Sequence, residues 1–270
     1  MKKTLFSLVM MLGGLIGAQA QESQKLTLND NEDLVPVINA AAEAGGTYDL
    51  TFSDRPINID NWNVWRLPFD FRPADFKNYL GTYVIDLIDD TNDDGDIHFE
   101  PTVSGIIPAG TPFIINVGQM KRTPTNFKRV TFKGVTLKNV EASCTKTDPS
   151  GNRFVGIFSP TTIYGKKFWY MSKGNWYDAR KYSEENPVTL KPGRCYIDLS
   201  GNTVKARPLI IIREPDGTTT AIDAATFNQG EFSTKAVQDN AWYTLTGFRL
   251  TETPTSKGVY IHQGRKVVIR

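Results

Sequence analysis

The feature that most constrains this fold is a series of short β-rich runs that recurs from Thr47 to about Ile222 between turn residues. The chain holds 22 glycines and 15 prolines, residue types that favour turns over helix interiors. Many short strands at such spacing are typical of an antiparallel sandwich or barrel. The sequence therefore predicts an all-β fold, an antiparallel β-sandwich. The predicted strands are Thr47–Phe52, Asn63–Leu67, Thr82–Ile88, Asp96–Glu100, Pro112–Val117, Val130–Val135, Phe154–Phe158, Phe168–Met171, Trp176–Tyr177, Arg194–Leu199 and Pro208–Arg213.

One short N-terminal helix is predicted, after a strand at Lys25–Leu28. Asn31 or Asp33 can cap its N-terminus, and Gly45 ends it. Its apolar face consists of Leu34, Ile38 and Ala41.

Residues 1–20 have the pattern of a cleavable export signal. Lys2 and Lys3 precede an apolar segment from Leu5 to Ile16, and Ala18-Gln19-Ala20 forms a cleavage site before Gln21. The alternative is a membrane anchor, but this segment is shorter than the roughly 20 residues that span a bilayer. We expect a secreted or cell-surface protein without a transmembrane segment after signal removal, with a periplasmic location also open.

The rest of the chain divides into a main domain, a linker and a tail. Residues 21–222 are predicted to form the β-sandwich with its strand–helix lead-in, and residues 223–240, which hold few large hydrophobic residues, the linker. Residues 241–270 are predicted to form a tail of three strands. Three strands of this size are marginal alone, so the tail either docks on the main domain or serves as a signal.

Charge is balanced in total and segregated along the chain. Without Lys2 and Lys3 the chain holds 29 basic and 29 acidic residues, so it lacks the basic excess that drives non-specific nucleic-acid binding. Residues 29–100 hold 16 acidic and 4 basic residues, whereas residues 118–213 hold 6 acidic and 18 basic residues. Either the two halves attract each other in one sandwich, which we favour, or the basic half forms a face for an anionic glycan.

The two cysteines, Cys144 and Cys195, allow a disulfide in an exported protein without requiring one. Whether they are bridged depends on their Cα separation, which the sequence does not give. The alternative is two separate thiols, with Cys195 buried in a strand.

Several ordered segments resemble a secreted β-domain family that is common in Bacteroidetes surface proteins. Asn61–Asp70 is similar to its W-N-T-L-C-L-P-F-D signature, and Ile107–Ile115 to its I-x-A-G-T-P-Y-L-I segment. Phe154–Pro160 resembles F-x-G-T-Y-S-P, Arg194–Ile197 resembles R-A-Y-F, and Asp49–Arg55 resembles the usual lead-in. The resemblance covers roughly residues 26–222, and the ordered set is more specific than any one motif. It implies an envelope or extracellular protein and does not imply an enzyme.

The tail carries a second resemblance. Tyr243–Leu250 and Gly258–Arg270 are similar to the start and the end of type IX secretion sorting segments, although Phe248 stands between Gly247 and Arg249. This resemblance again implies an envelope or extracellular location.

Catalytic motifs are absent from the sequence. Its two histidines, His98 and His262, lie far apart, and the sequence holds no zinc, nucleophile-elbow, Walker or dinucleotide pattern. We assign no catalytic residue, no metal ligand and no cofactor. A glycosidase carboxylate pair leaves no characteristic spacing, so a carbohydrate-active hydrolase remains an alternative.

An acidic loop partly matches a calcium-binding loop. Asp90, Asn92, Asp94, Gly95 and Asp96 fit early ligand places, but Glu100 falls one residue short of the required last carboxylate. We favour the alternative of a solvated hairpin that turns at Asp94-Gly95.

The strongest binding candidate is the aromatic hairpin Phe168–Asp178. Alternation puts Phe168 and Tyr170 on one face and Trp169 and Met171 on the other. One face must line the core; the second is either an exposed aromatic platform for a sugar or protein partner, or lies under a loop or the tail. The candidate ligand-binding residues are Trp169, Tyr170, Trp176 and Tyr177.

These observations predict a secreted or cell-surface, non-catalytic binding or adhesion module. Its candidate partners are a surface glycan and a host or envelope protein. The alternatives are a structural envelope or assembly protein without a ligand and a carbohydrate-active hydrolase.

Overall fold

The computed structural model describes residues 22–53, 55, 57–58, 61–76, 83–117, 126–127, 130–205, 208–213, 219–223, 242–244, 249–250, 253–255, 258–262 and 265–269. The predicted export signal lies outside the described residues, and so does the predicted linker apart from residue 223.

The predicted all-β class is confirmed, because the described residues form many strands beside the helix α1 (Val35–Ala44) and a 3-10 turn at Pro73–Phe76. The strands are β1 (Gln24–Asn29), β2 (Tyr48–Ser53), β3 (Ile57–Asn58), β4 (Trp62–Arg66), β5 (Tyr83–Ile88), β6 (Ile97–Pro101), β7 (Pro112–Val117), β8 (Asn126–Phe127), β9 (Val130–Val135), β10 (Ser143–Thr147), β11 (Arg153–Ile157), β12 (Thr161–Ile163), β13 (Gly165–Ser172), β14 (Asn175–Ala179), β15 (Val188–Leu190), β16 (Cys195–Asp198), β17 (Leu209–Arg213), β18 (Thr219–Asp223), β19 (Trp242–Thr244), β20 (Arg249–Leu250), β21 (Gly258–His262) and β22 (Arg265–Ile269).

A six-stranded sheet, in the order β18-β17-β6-β5-β7-β4, lies between two cores. Trp65 and Phe113 point to one core, whereas Val64 and Ile114 point to the other. A strand that is buried on both faces has a continuous run of apolar residues in its sequence. This explains why β7 is apolar on both faces of the sheet.

The first core, here the helix-side core, lies under α1 and the sheet β1-β2-β9, and includes Ile38, Phe52 and Phe132. β1 and β2 are parallel, which requires a crossover of a dozen or more residues, and α1 supplies it. The N-cap residue of the helix is Leu34, which makes no side-chain cap hydrogen bond, so neither Asn31 nor Asp33 is the N-cap; Asp33 Oδ1, one residue earlier, accepts the Val35 N–H at 3.1 Å. The helix ends at Gly45, whose φ is 71°, as predicted.

The second core, here the inter-sheet core, lies between the six-stranded sheet and the five-stranded sheet β10-β11-β16-β13-β14. The ribbon β12-β15 contributes to a third cluster, the outer core, on the far face of the five-stranded sheet, with Ile163 and Leu190 among its residues. The molecule therefore stacks sheets as a sandwich does.

Ion pairs join the acidic half of the sequence to the basic half, as the favoured interpretation of the charge segregation predicts. They are Asp30–Arg194, Asp30–Lys191, Asp70–Lys138, Asp96–Lys205 and Glu100–Arg213.

Some features differ from the predictions. The structure adds short strands that lack a strong apolar run (β3, β8, β10, β12, β15 and β18), and the pair β6–β17 is parallel. The tail has four strands rather than three, because Trp242 in β19 pairs with Leu250 in β20 and so divides the expected first strand.

The two cysteines are free thiols. Cys144 pairs with Gly156 from one side, and Cys195 pairs with Gly156 from the other. Two strand spacings separate their Cα atoms by roughly 9–10 Å, beyond the limit of about 7 Å for a disulfide. The Cys195 thiol donates to the carbonyl of Trp65 at 3.2 Å, and burial raises its pKa to about 12.

Among the described residues, no helix has the length and apolar character needed to cross a membrane.

Candidate functional site

The aromatic hairpin is formed by β13 and β14, which pair through Trp169↔Asp178, Tyr170↔Tyr177 and Met171↔Trp176. Trp169, Met171 and Trp176 face the inter-sheet core, whereas Phe168, Tyr170 and Tyr177 belong to the outer core. The predicted alternation of faces is therefore confirmed.

The two tryptophans of the hairpin are core residues, so the expectation that they form an exposed platform is wrong. Trp169 and Trp176 are each 1% exposed. Trp176 stacks on Phe99 with ring centroids 6.3 Å apart. The stacked sheets close this face of the hairpin, which leaves the indoles no surface for a ligand.

The opposite face is also largely covered. Tyr170 is 9% exposed and stacks on Tyr177 at 5.8 Å, and its hydroxyl lies 3.4 Å from that of Tyr182. Burial raises the pKa of Tyr170, and the hydrogen bond with Tyr182 adds to the shift. Tyr177 is half-buried. Of the four predicted binding residues, Tyr177 thus keeps the most contact with solvent.

The hairpin instead contributes its tip to a cleft of about 210 Å³, here called the hairpin-tip cleft. The cleft lies where the start of β4 meets the turn between β13 and β14. It is lined by Asn58, Trp62, Asn63, Val64, Met171, Ser172, Lys173, Gly174 and Arg194.

The turn at the tip has an unusual backbone. Lys173 and Gly174 have φ values of 51° and 81°, as a two-residue turn with both central residues left-handed requires. Gly174 also packs closely, since an added Cβ would lie 2.5 Å from the Cβ of Asn61. Among the described residues Lys173 is the one non-glycine with positive φ, a conformation that costs roughly 1–2 kcal/mol.

The apolar wall of the cleft is Trp62 with Met171. Both side chains are half-buried and pack against the inter-sheet core. Asn63 supports this wall from below: its amide donates to the carbonyls of Asn58 and Asn61 at 2.9 and 3.0 Å, and its Oδ1 accepts the Asn58 N–H at 2.8 Å. These bonds fix the segment that leads into Trp62.

The charged groups of the cleft are cationic. Its described lining residues include Lys173 and Arg194 and no carboxylate. Nη2 of Arg194 donates to Asp30, which is 2% exposed, at 3.1 Å, and Lys191 lies 3.5 Å from the same carboxylate. Burial lowers the pKa of Arg194, and Asp30 opposes that shift.

A second arginine, Arg55, lies next to the cleft and is 1% exposed. Its Nη2 donates to the carbonyls of Val64 and Gly193, whereas its buried Nε and Nη1 have no partner in the described part of the chain. The guanidinium stands 4.4 Å from the ring centroid of Trp65. Burial holds the pKa of Arg55 well below its usual range, and the nearby charge of Arg194 lowers it further.

The segments that carry the family resemblance meet around a third arginine, Arg66. Its Nε donates to the carbonyl of Gly110 at 2.8 Å, and its guanidinium lies 4.2 Å from the ring centroid of Phe158. An added Cβ at Gly156 would lie 2.8 Å from Arg66 Cδ. These residues therefore join separate segments of the fold.

A larger cavity, here the phenylalanine cavity, has a volume of about 410 Å³. Its floor is Phe69, Phe71, Phe76 and Phe132, each at most 4% exposed. Its charged lining residues are Asp70, Asp75, Lys133 and Lys138, which balance in sign. Lys138 bonds Asp70 at 2.5 Å, and this bond lowers the pKa of Asp70, with help from the N–H of Ala109.

The acidic loop joins the antiparallel strands β5 and β6, so the predicted hairpin is confirmed. The connection is longer than a turn at Asp94-Gly95, because it spans residues 89–96, and Gly95 and Asp96 are buried rather than solvated. Asp94, Asp96 and His98 bring their donor atoms within 4.8 Å of one another. These atoms are engaged, however. Asp94 Oδ1 accepts the Asp96 N–H at 2.8 Å, Asp94 Oδ2 lies 3.1 Å from His98 Nε2, and the carboxylate of Asp96 binds Lys205 Nζ and the Leu209 N–H. The loop is thus held by its own turns and by Lys205.

Sequence reasoning missed Trp62 and Arg194 as site residues, although both lie in or beside the quoted motifs. Their juxtaposition depends on how two sheets stack, which no local pattern encodes. The available signal was an aromatic residue, Trp62, at the first position of a strand and directly after Asn61.

The sequence matches no protein-family model, and neither a curated protein nor a solved structure matches it.

Proposed function

We propose that this chain is a secreted or cell-surface binding module that holds a sugar residue in the hairpin-tip cleft without cleaving it. One observation carries the proposal: the half-buried indole of Trp62 lines a cleft that also holds hydroxyl, amide and cationic groups. An aromatic face that packs on a sugar ring, with polar groups for its hydroxyls, is the arrangement that such a ligand needs.

The size of the cleft supports a small ligand group. Pockets for drug-sized molecules have volumes of about 300–1,000 Å³, whereas this cleft has about 210 Å³. It therefore suits a single residue of a glycan, with the rest of the chain in solvent.

The lining chemistry favours binding over hydrolysis. Glycosidases use a pair of carboxyl groups that flank the scissile bond, and the described lining residues of the cleft contribute none. A glycan held here would contact donors and an aromatic wall, and no carboxyl group of the described lining would lie beside it.

The proposed location follows from the ends of the sequence. The signal pattern of residues 1–20 and the sorting-like tail both point to export, and the resemblance to the Bacteroidetes family points the same way. We favour a surface glycan over a host or envelope protein because the cleft, at about 210 Å³, has room for a single sugar residue.

The test is a glycan array probed with the purified protein, followed by calorimetric titration of the hits. We expect Trp62→Ala to weaken binding by about 1–3 kcal/mol, as loss of an aromatic anchor does, because the sugar loses its stacking surface. Trp62→Phe should retain part of the affinity.

A matched control is Trp242→Ala, which removes another half-buried tryptophan, one that stacks on His262 at 4.3 Å in the tail sheet. It should leave sugar binding unchanged. No binding to any glycan on the array would favour a structural envelope or assembly protein without a ligand. Cleavage of a bound glycan would favour the carbohydrate-active hydrolase.

A further inference from the structure

We infer that the sugar residue is acidic, carrying a carboxylate as a uronic acid does, and that Arg194 is the residue that selects it. This inference rests on the proposed function, since it names the ligand class of the same cleft.

The charge on the described lining of the cleft is out of balance. The lining holds two cationic side chains, Lys173 and Arg194, and no carboxylate. The carboxylate bound to Arg194 is that of Asp30, which lies outside the lining and is shared with Lys191. Charges interact more strongly beside a low-dielectric interior than in water, so an anion in the cleft gains more than a neutral group.

Arg194 is placed to receive that anion. It directly precedes β16, and the register Tyr196↔Tyr170 puts it beside Ser172, which also lines the cleft. Asp30 accepts from Nη2, but a guanidinium has five N–H donors. The side chain is 25% exposed, so a ligand can reach its other donors.

Asp30 has the role of an orienting group rather than a full counter-ion. It is 2% exposed and shared between Lys191 and Arg194. A guanidinium that is held at one corner loses less freedom when a ligand binds its remaining donors, which favours affinity. The planar fork of arginine suits a carboxylate in particular, because two parallel N–H···O bonds can form.

The buried side chain of Arg55 also favours an anion in the cleft. Among the described residues its Nε and Nη1 find no acceptor, and buried polar groups are normally paired. The guanidinium also contacts the carbonyl of Val64, a lining residue. A carboxylate in the cleft would add negative charge to that of Asp30, the described acid that acts on Arg55.

The experiment measures the affinity of the full chain for three trisaccharides of equal length by calorimetric titration. They are a galacturonic acid trisaccharide, a neutral galactose trisaccharide and a 6-sulfated galactose trisaccharide. We expect the carboxylated probe to bind at least tenfold more tightly than the neutral one, in the range of a hydrogen bond to a charged group, and more tightly than the sulfated one.

Arg194→Gln should remove this preference, with a loss of about 10- to 100-fold for the carboxylated probe and little change for the neutral one. Lys173→Gln should reduce the preference by a smaller factor.

Lys191→Gln is the matched control, because it also removes one positive charge beside Asp30 but lies outside the cleft lining. It should change the affinity less than twofold. Arg194→Lys covers the case in which Arg194→Gln fails to fold, and should lose part of the preference.

The outcomes separate the two proposals. Equal, Trp62-dependent binding of all three probes would overturn the acidic ligand and leave the sugar site standing. Stronger binding of the sulfated probe, or a preference that survives in the Arg194 and Lys173 variants, would also overturn it. No binding by any probe, together with a silent array, would overturn the sugar site itself.

Discussion

The hairpin-tip cleft and the phenylalanine cavity differ in a way that volume alone would misjudge. The phenylalanine cavity is about twice as large, but its charged lining residues balance and its floor belongs to the helix-side core. The smaller cleft has a half-exposed aromatic wall and cationic groups without a matching acid in its described lining. Incomplete compensation of charge, rather than size, is therefore the reason why we propose the smaller cleft as the binding site.

The same contrast holds for the buried arginines. Arg66 donates to the carbonyls of Gly110, Glu141 and Ala142 and joins segments of the fold. Arg55 has two nitrogen atoms, Nε and Nη1, without a partner among the described residues. Because a buried unpaired polar group costs about 1–3 kcal/mol, Arg66 is explained by folding alone, whereas Arg55 is better explained with an anion nearby.

The largest effect is expected from truncating the buried aromatic residues beneath the two regions, which tests whether these residues belong to the hydrophobic core. Trp176→Ala, below the cleft, and Phe132→Ala, below the phenylalanine cavity, should each lower the free energy of unfolding by about 3–5 kcal/mol, because buried aromatic residues leave cavities when truncated. Urea denaturation measures the change.

Trp62→Ala is the control for that experiment, since its side chain is half-exposed and should cost clearly less stability. If Trp176→Ala kept full stability, the hairpin tryptophans would not be core residues, and the original expectation of an exposed platform would return.

The sequence was sufficient for the layered β fold and insufficient for the site. A short apolar run between turn residues predicted β7, and the turn residues and the alternation of side chains predicted the β13–β14 hairpin and its two faces. These features are local in the sequence. Which face was closed depended on the partner sheet that packs on Trp169 and Trp176. The cleft needs β4, the hairpin tip and Arg194, which come from segments far apart in the chain, so no spacing in the sequence marks it.

A smaller effect tests the strained turn at the cleft. Lys173→Gly should raise the free energy of unfolding by up to about 1 kcal/mol, because glycine removes a left-handed penalty of roughly 1–2 kcal/mol while adding about 0.5–1 kcal/mol of backbone entropy cost. The same change should weaken binding of the galacturonic acid probe, since it deletes a cation.

Stability and binding would thus move in opposite directions, which is the signature of strain kept at a functional position. Lys173→Asn is the matched variant, because asparagine tolerates the left-handed region and also lacks the charge. A variant that gained stability and bound the acidic probe as tightly as the wild type would mean that Lys173 is not part of the site.

The smallest effect concerns the balanced rim of the phenylalanine cavity. Asp70→Asn should cost less than about 1 kcal/mol at pH 7, since the Asp70–Lys138 pair is exposed and solvent screens it. The bond from Lys138 lowers the pKa of Asp70 below its ordinary value of 3.8, so the folded state favours the charged carboxylate. The contribution of the charged Asp70 to the free energy of unfolding is therefore complete above the pKa of the unfolded state and disappears as the pH falls through the pKa of the folded state.

Urea denaturation of wild type and of Asp70→Asn, at pH 7 and at pH values below 3.8, should show free energies of unfolding that differ slightly at neutrality and converge in acid. A gap that persisted in acid would show that Asp70 stabilises the rim by hydrogen bonding to Ala109 independently of its charge, and the charge balance that sets this cavity apart from the cleft would lose its energetic basis.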